Sequence, residues 1–311
     1  DLSSNHLNEL ENWELAWALA DLPPTIKHLI LSENRLYTID DLGSVFAALP
    51  QGIVSLDLSN NRLYKLEGSE LGLAFSQITR AIISLNLSKN RFGEMTGVDL
   101  ALSLADIPNT IRSLNLSEND LYRLTNGNLV NVTKSIPKGV VSLNLSGNNL
   151  YKLAIEDLVS ALKAIPKNVR SLDLRENGLG NLSDEELKLV LSALPPHITS
   201  LTWSRDSSET LSMERIVKLN CPLRHIQTIS IHFGEVERMT PAEKDAFKKV
   251  FPNIKDIILT DKNDTEIKGI PLQLKANFCM KLGLPLPSLQ MFCMFAEIGR
   301  ASCRERVSSP V

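Results

Sequence analysis

The chain has 311 residues, 43% hydrophobic and 22% charged, a globular composition with length enough for a large core. Its 33 basic and 36 acidic residues leave a net charge of −3 without a sustained basic run, so bulk electrostatics gives no basis for binding nucleic acid or an anionic membrane. No apolar run is long enough to span a membrane, and four cysteines (Cys221, Cys279, Cys293 and Cys303) are too few and too clustered for a disulfide framework.

The chain opens inside a phrase, Asp1-Leu-Ser-Ser-Asn5-His-Leu7, so a preceding segment is expected and a signal peptide is neither seen nor excluded. The phrase returns as Leu29-Ile-Leu-Ser-Glu-Asn34-Arg-Leu36 and Leu56-Asp-Leu-Ser-Asn-Asn61-Arg-Leu63. It continues around Asn90, Asn119, Asn148 and Asn177. The asparagines are spaced by 29, 27, 29, 29, 29 and 29 residues. Seven copies at so constant a period predict a stack of equivalent coils.

Each coil divides into parts. In Ile53-Val-Ser-Leu56-Asp-Leu58 the apolar residues alternate about Leu56 and Leu58, which predicts a short strand with one buried face. Asn61 then turns the chain, and its amide can bond backbone groups that a buried turn would leave unpaired. Asn5, Asn34, Asn61, Asn90, Asn119, Asn148 and Asn177 in register predict an asparagine ladder. Losing a middle rung should cost on the order of 1–3 kcal/mol. The second half of each coil reads as a helix: Leu158, Ala161, Leu162 and Ile165 fall at helical spacing. Pro23, Pro50, Pro108, Pro137, Pro166 and Pro195 each lie 11 residues before a turn position and stop the helix, whereas Thr79 stands there once.

Beyond Asn177 the pattern weakens. Leu201-Thr-Trp203 keeps the inward positions, with Asp206 in the asparagine's place. Ile229-Ser-Ile231 and Ile257-Ile-Leu259 read as two further strands, with turn positions at Gly234 and at Lys262 or Asn263. Thr240-Pro-Ala-Glu243 has the form of a capping box, followed by an apolar face of Phe247, Val250 and Phe251. This gives about ten coils. Regular repeats fill 1–206, degenerate repeats fill 207–270, and a C-terminal cap fills 271–296. The segment from Glu297 to Val311 resembles a translated sequencing adapter and is taken as an artefact, which removes Cys303.

Outward strand positions are small and polar, such as Ser55, Asp57 and Ser59 or Ser84, Asn86 and Ser88, and only Arg175 breaks the run. Such a wall can be a binding face or merely a polar ladder that keeps the sheet soluble. Variation gathers just after the strand. Arg35, Arg62 and Arg91 follow the turn asparagine. All four tyrosines, Tyr37, Tyr64, Tyr122 and Tyr151, stand three residues after it, with Gly93 and Gly180 at the same place in other coils. The tyrosines form either a contact rim with the arginines or caps on the core between strand and helix. The arginines either face an acidic partner or form a solvated row paired with Glu33 and its like.

No catalytic signature is present: no P-loop, no GxGxxG after a strand, no GxSxG and no HExxH. Cys221, His225 and His232 lack a tight metal spacing, and the five histidines are scattered. Cys279 and Cys293 have no recognisable catalytic setting. Sequons occur at Asn86, Asn115, Asn131, Asn144, Asn181 and Asn263, three of them on the strand face, which disfavours an extracellular receptor. The chain therefore reads as non-enzymatic, without cofactor, metal or nucleic acid.

The phrases resemble the leucine-rich repeat LxxLxLxxNxL, and their length resembles its ribonuclease-inhibitor-like class. The resemblance implies an α/β solenoid, a horseshoe with parallel strands on the concave face and helices on the convex face. Ile165-Pro-Lys-Asn-Val-Arg-Ser-Leu-Asp-Leu-Arg-Glu-Asn177-Gly-Leu further resembles leucine-rich-repeat effectors of intracellular Gram-negative bacteria, well over 1–206 and loosely beyond. That likeness implies secretion into a host cytosol and a host protein as partner. It carries no catalytic residue across. Expected protein-binding residues are Tyr37, Tyr64, Tyr122, Tyr151, Arg35, Arg62, Arg91 and Arg175. Two other readings are a fragment of a ubiquitin-ligase-type effector whose catalytic domain is missing, and an inhibitor resembling ribonuclease inhibitor.

Overall fold

The alternation of Ile53, Leu56 and Leu58 with Val54, Ser55 and Asp57 translates directly into a strand: the first three side chains are fully buried and the others half exposed. The computed structural model describes residues 1–202, 213–232 and 240–260. Its strands are β1 (His28–Ile30), β2 (Ser55–Asp57), β3 (Ser84–Asn86), β4 (Ser113–Asn115) and β5 (Ser142–Asn144), then β6 (Ser171–Asp173), β7 (Ser200–Thr202), β8 (Thr228–His232) and β9 (Asp256–Thr260). They form one 9-stranded parallel sheet in chain order. The register sets leucine on leucine, Leu56 on Leu85, Leu85 on Leu114 and onward to Leu201. The strands expected around Ile229 and Ile257 are β8 and β9, with both isoleucines in the core.

The first coil has no strand. Leu2 and Ser4 nevertheless donate their N–H groups to the carbonyls of Ile30 and Ser32, at 2.9 and 3.0 Å. At ~4.8 Å per strand the nine strands make a wall roughly 38 Å long. Trp203, Asp206, Gly234, Lys262, Asn263, Cys279, Cys293, Cys303, the expected cap 271–296 and the segment 297–311 lie outside the described residues.

Each of β1 to β6 leads through a turn to a short 3₁₀ segment, such as Leu63–Lys65, and then to a helix. The helices are α1 (Asn12–Ala20), α2 (Leu42–Ala47), α3 (Gly68–Ser76), α4 (Gly97–Ala105), α5 (Asn128–Lys134), α6 (Ile155–Lys163), α7 (Asp184–Ser192), α8 (Met213–Leu219) and α9 (Pro241–Val250). In α6 the buried residues are the expected Leu158, Ala161 and Leu162. The capping box read at Thr240 is present, with the Thr240 hydroxyl accepting from the Glu243 N–H. The helix-ending prolines share a second task. The carbonyls of Pro50, Pro108, Pro137 and Pro166 each accept the N–H three residues on, closing a turn into the next strand. Thr79 does the same for Ile82, so the turn survives without proline.

Helices on successive coils pack side by side, and glycine governs how closely. A Cβ on Gly68 in α3 would lie 2.5 Å from the Asp99 Cα in α4, and one on Gly97 would lie 2.5 Å from the Asn128 Cβ in α5. The core is a single apolar cluster running from Leu15 to Ile257 between sheet and helices.

The asparagine ladder is present and has a direction. Asn119 Oδ1 accepts from the N–H groups of Asn90 (2.8 Å) and Phe92 (3.4 Å) on the preceding coil. Its Nδ2 donates to Leu87 O on that coil and to Ser117 O on its own. The same arrangement recurs at Asn34, Asn61, Asn90, Asn148 and Asn177, all of them buried. Every cross-coil bond of these side chains reaches backward. Asn5 is the exception: it is exposed, and its side chain donates only to Ser3 O.

Tight turning around each rung forces the backbone left-handed on both sides. Glu33, Asn60, Lys89, Glu118 and Glu176 precede a rung with φ between 53° and 61°, and Arg35, Arg62, Arg91, Asp120 and Asn149 follow one with φ between 53° and 59°. Such a conformation costs roughly 1–2 kcal/mol for a residue other than glycine. Gly147 and Gly178 occupy the same two places in later coils, both at φ 67°.

Candidate interaction surface

The concave wall is built for folding. The side chains of Asp57, Asn86, Asn115, Asn144 and Asp173 each accept the N–H of the residue two further on, at 2.8–3.1 Å. This local bond explains why Asp or Asn stands there in five successive strands, β2 to β6. With the serine row beside them they line a shallow trough of about 470 Å³. Arg175, the one large charge expected to break the wall, folds back on it. Its guanidinium holds the Asp173 carboxylate at 2.6 and 3.0 Å. The expected binding role thus falls on a cation that is already neutralised.

The rim beyond the strands is different. Tyr37, Tyr64, Tyr122 and Tyr151 are half buried, each ring packing on the edge of the core while another part remains exposed. Each ring therefore caps the core between strand and helix and keeps an exposed part at the surface. Each ring also carries a cation. Lys65 lies 4.4 Å from the Tyr37 ring centre and Arg91 5.1 Å from that of Tyr64. Arg123 and Lys152 lie 5.6 and 4.6 Å from Tyr122, and Lys152 lies 5.7 Å from Tyr151. Arg91 also donates to the Tyr64 hydroxyl at 3.3 Å. These separations are those of cation–π contacts. The stripe is interrupted at Gly93, where a Cβ would overlap the carbonyl oxygen of Asp120.

The expected arginine row divides. Arg91 pairs with Glu94 at 2.6 Å, not with a residue of the Glu33 row. Lys89 pairs with Glu118 at 3.4 Å. Glu33 instead accepts from the Ser4 hydroxyl. Arg35 and Arg62 are exposed, and no ion pair holds either of them among the described residues. The Tyr37 phenol is held below the ordinary tyrosine range chiefly by a hydrogen bond from Lys65, which outweighs the opposing effect of burial, with lesser help from the charge of Lys65 and from Arg62.

Lys65, Arg123 and Lys152 were absent from the sequence expectation. Their signal is the dipeptide Tyr64-Lys65, repeated as Tyr122-Arg123 and Tyr151-Lys152. A second omission lies near the rear edge. His197 and His225 are not scattered but stand at one position of successive coils, three residues before β7 and β8. Each has a buried Nε2 without a hydrogen-bond partner. Burial lowers the pKa of both, aided at His197 by Arg170 and at His225 by His197. A third omission is the exposed pair Trp13 and Trp17 on α1, edge to face at 5.0 Å. Cys221 is buried beside Ser192, and among the described residues no group of three or more His, Cys, Asp or Glu side chains could hold a metal.

No protein-family model matches the chain, and no curated protein does. Among solved structures it is similar to the leucine-rich repeat-containing protein LegL7 from Legionella pneumophila, with a TM-score of 0.82 and 34% identity, covering 91% of this chain and 89% of that one. Identity at that level over nearly the whole length, joined to nine parallel strands, a helix on each regular coil and a buried asparagine ladder, makes this chain a member of the leucine-rich-repeat proteins.

Proposed function

We propose that the chain is a non-catalytic scaffold that binds a protein partner through its rim, with Tyr37, Tyr64, Tyr122 and Tyr151 as the principal contacts and Arg35, Arg62 and Arg91 beside them. The observation that carries this reading is the half-exposed tyrosine stripe with a cation on every ring. Tyrosine offers broad contact area at low entropy cost, and tyrosine and arginine are the residue types that dominate interface energetics. The concave wall contributes shape, and Arg175 contributes through the pair it forms with Asp173. Similarity to a protein of Legionella pneumophila supports a role as a bacterial effector that meets its partner in a host cytosol.

The test is affinity capture from a eukaryotic cytosolic lysate, with the full chain and a variant carrying Tyr→Ala at all four positions as baits. Circular dichroism checks that both are folded. A partner retained by the parent and lost by the folded variant is the expected result. Equal retention by both would refute the rim as the binding surface.

A further inference from the structure

We infer that the rim of the second and third coils recognises an acidic segment of a partner protein, with Arg35, Arg62 and Lys65 as its cations and Tyr37 at its centre. The inference deepens the protein-binding reading and rests on it. Lys65 sits 4.4 Å from the Tyr37 ring centre, and Lys65 and Arg62 both act on the Tyr37 hydroxyl. Arg35 stands two residues before that tyrosine and is exposed. Two cations thus meet at one phenol, a third stands at the repeat position of Arg62 one coil back, and an anion is the ligand that this concentration of positive charge favours.

The protein does not supply that anion. Among the described residues no carboxylate pairs with Arg35, Arg62 or Lys65. Of the acidic side chains near them in sequence, Glu33 accepts from Ser4 and Asp41 accepts the Ser44 N–H at the start of α2, while the exposed Asp40 and Glu67 form no ion pair with these cations. The next coils differ, because Arg91 has Glu94 and Lys89 has Glu118. Folding does not require these arginines either. Arg35 and Arg62 occupy left-handed positions that suit glycine, and Gly178 fills the equivalent place. A strained, uncompensated cation is a feature that function explains and stability does not.

The arrangement favours a chain of carboxylates over a phosphate. A phosphate site gathers convergent donors, often backbone N–H groups, into one concavity. Here the cations lie openly along the rim, Arg35 on one coil and Arg62 and Lys65 on the next, with ~4.8 Å between coils. An extended acidic segment can lay successive carboxylates along such a row, and guanidinium binds carboxylate in bidentate fashion.

The test uses the full-length chain and a fluorescein-labelled hexaglutamate peptide, read by anisotropy at low salt and at roughly 0.15 M ionic strength. Arg62→Glu with Lys65→Glu should weaken binding about tenfold or more, and Arg62→Gln with Lys65→Gln by less. Lys163→Glu with Lys188→Glu, the same charge change on the exposed faces of α6 and α7 away from the rim, should alter it by no more than about twofold. Thermal melting confirms that every variant is folded. Equal losses from the two reversals would reveal diffuse attraction and overturn the assignment. Displacement of the peptide by inorganic phosphate at equal ionic strength would overturn it in favour of a phosphate site. Absence of peptide binding by the parent would also overturn it. In that case the tyrosine capture experiment decides separately whether the rim binds a partner of different chemistry.

Discussion

Replacing Asn119 with alanine tests the ladder at its most constrained point. The side chain is fully buried and serves four backbone groups. They do not suffer equally. Leu87 O keeps a second donor in Asn90 Nδ2 at 3.1 Å, and Ser117 O keeps the Lys89 N–H at 3.1 Å. The N–H groups of Asn90 and Phe92 lose the side-chain acceptor they share. A buried donor without a partner costs about 1–3 kcal/mol, and the longer Phe92 bond counts for less, so Asn119→Ala should destabilise by about 2–4 kcal/mol. Asn5→Ala should cost less than about 0.5 kcal/mol, because Asn5 makes no cross-coil side-chain bond. Urea titration followed by far-ultraviolet circular dichroism gives both values, compared by midpoint because repeat arrays can lose two-state behaviour. A midpoint for Asn119→Ala matching the parent, or equal losses for the two variants, would refute the directional ladder.

Three further outcomes are expected. Gly178→Ala puts a Cβ into the Tyr151 ring at a residue with φ 67°, so a loss of about 2–4 kcal/mol is expected. In a Tyr151→Ala background the same change should cost only about 1 kcal/mol, and an unchanged penalty in that cycle would show that the ring is not the obstacle. His197 and His225 have folded-state pKa values below the ordinary value of about 6.5, so the unfolded chain binds protons that the folded chain resists. Stability should therefore be full above pH ~6.5 and decline as the pH falls below it. His197→Asn with His225→Asn should flatten that decline, since Asn168 and Asn253 fill the same position and donate to the carbonyls of Lys138 and Arg224. An identical pH–melting profile in the double variant would assign the decline elsewhere. Arg62→Asn replaces a left-handed arginine with a residue that tolerates that conformation, and should raise stability by up to about 1 kcal/mol while weakening hexaglutamate binding. A fall in melting temperature would show that Arg62 is needed for the fold.

Much of the fold was legible because one residue type per task recurs at one period. Leu56 and Leu58 announce the strand, Asn61 the turn and Pro50 the end of the helix. The weaker strands at Ile229 and Ile257 were still readable, since β-branched pairs persist after the asparagine is lost. The rim was half legible. Tyrosine periodicity is visible in one dimension, but Lys65 lies over Tyr37 and Lys152 over Tyr122, each pairing reaching one coil back. Only stacking reveals such partners. The left-handed residues were illegible for a different reason. Glutamate, lysine and arginine carry no propensity for that conformation, and only Gly147, Gly178, Asn60, Asp120 and Asn149 hinted at it. Nor could sequence show that Arg175 turns onto Asp173, because a local ion pair and an outward-reaching cation have the same spelling.

The glycines of α3 and α4 bear on the curvature of the whole body. Strands are fixed near 4.8 Å apart by their hydrogen bonds, whereas packed helices ordinarily sit 8–10 Å apart, and this mismatch bends a solenoid. Where Gly68 meets Asp99 and Gly97 meets Asn128, the outer layer is allowed to tighten while the inner layer cannot. The arc should open locally along those coils, like a barrel hoop filed thin on its outer side. That stretch adjoins the Tyr64 and Arg91 segment of the rim, so a side chain as small as alanine on the outside would re-aim a surface on the far edge of the same coils.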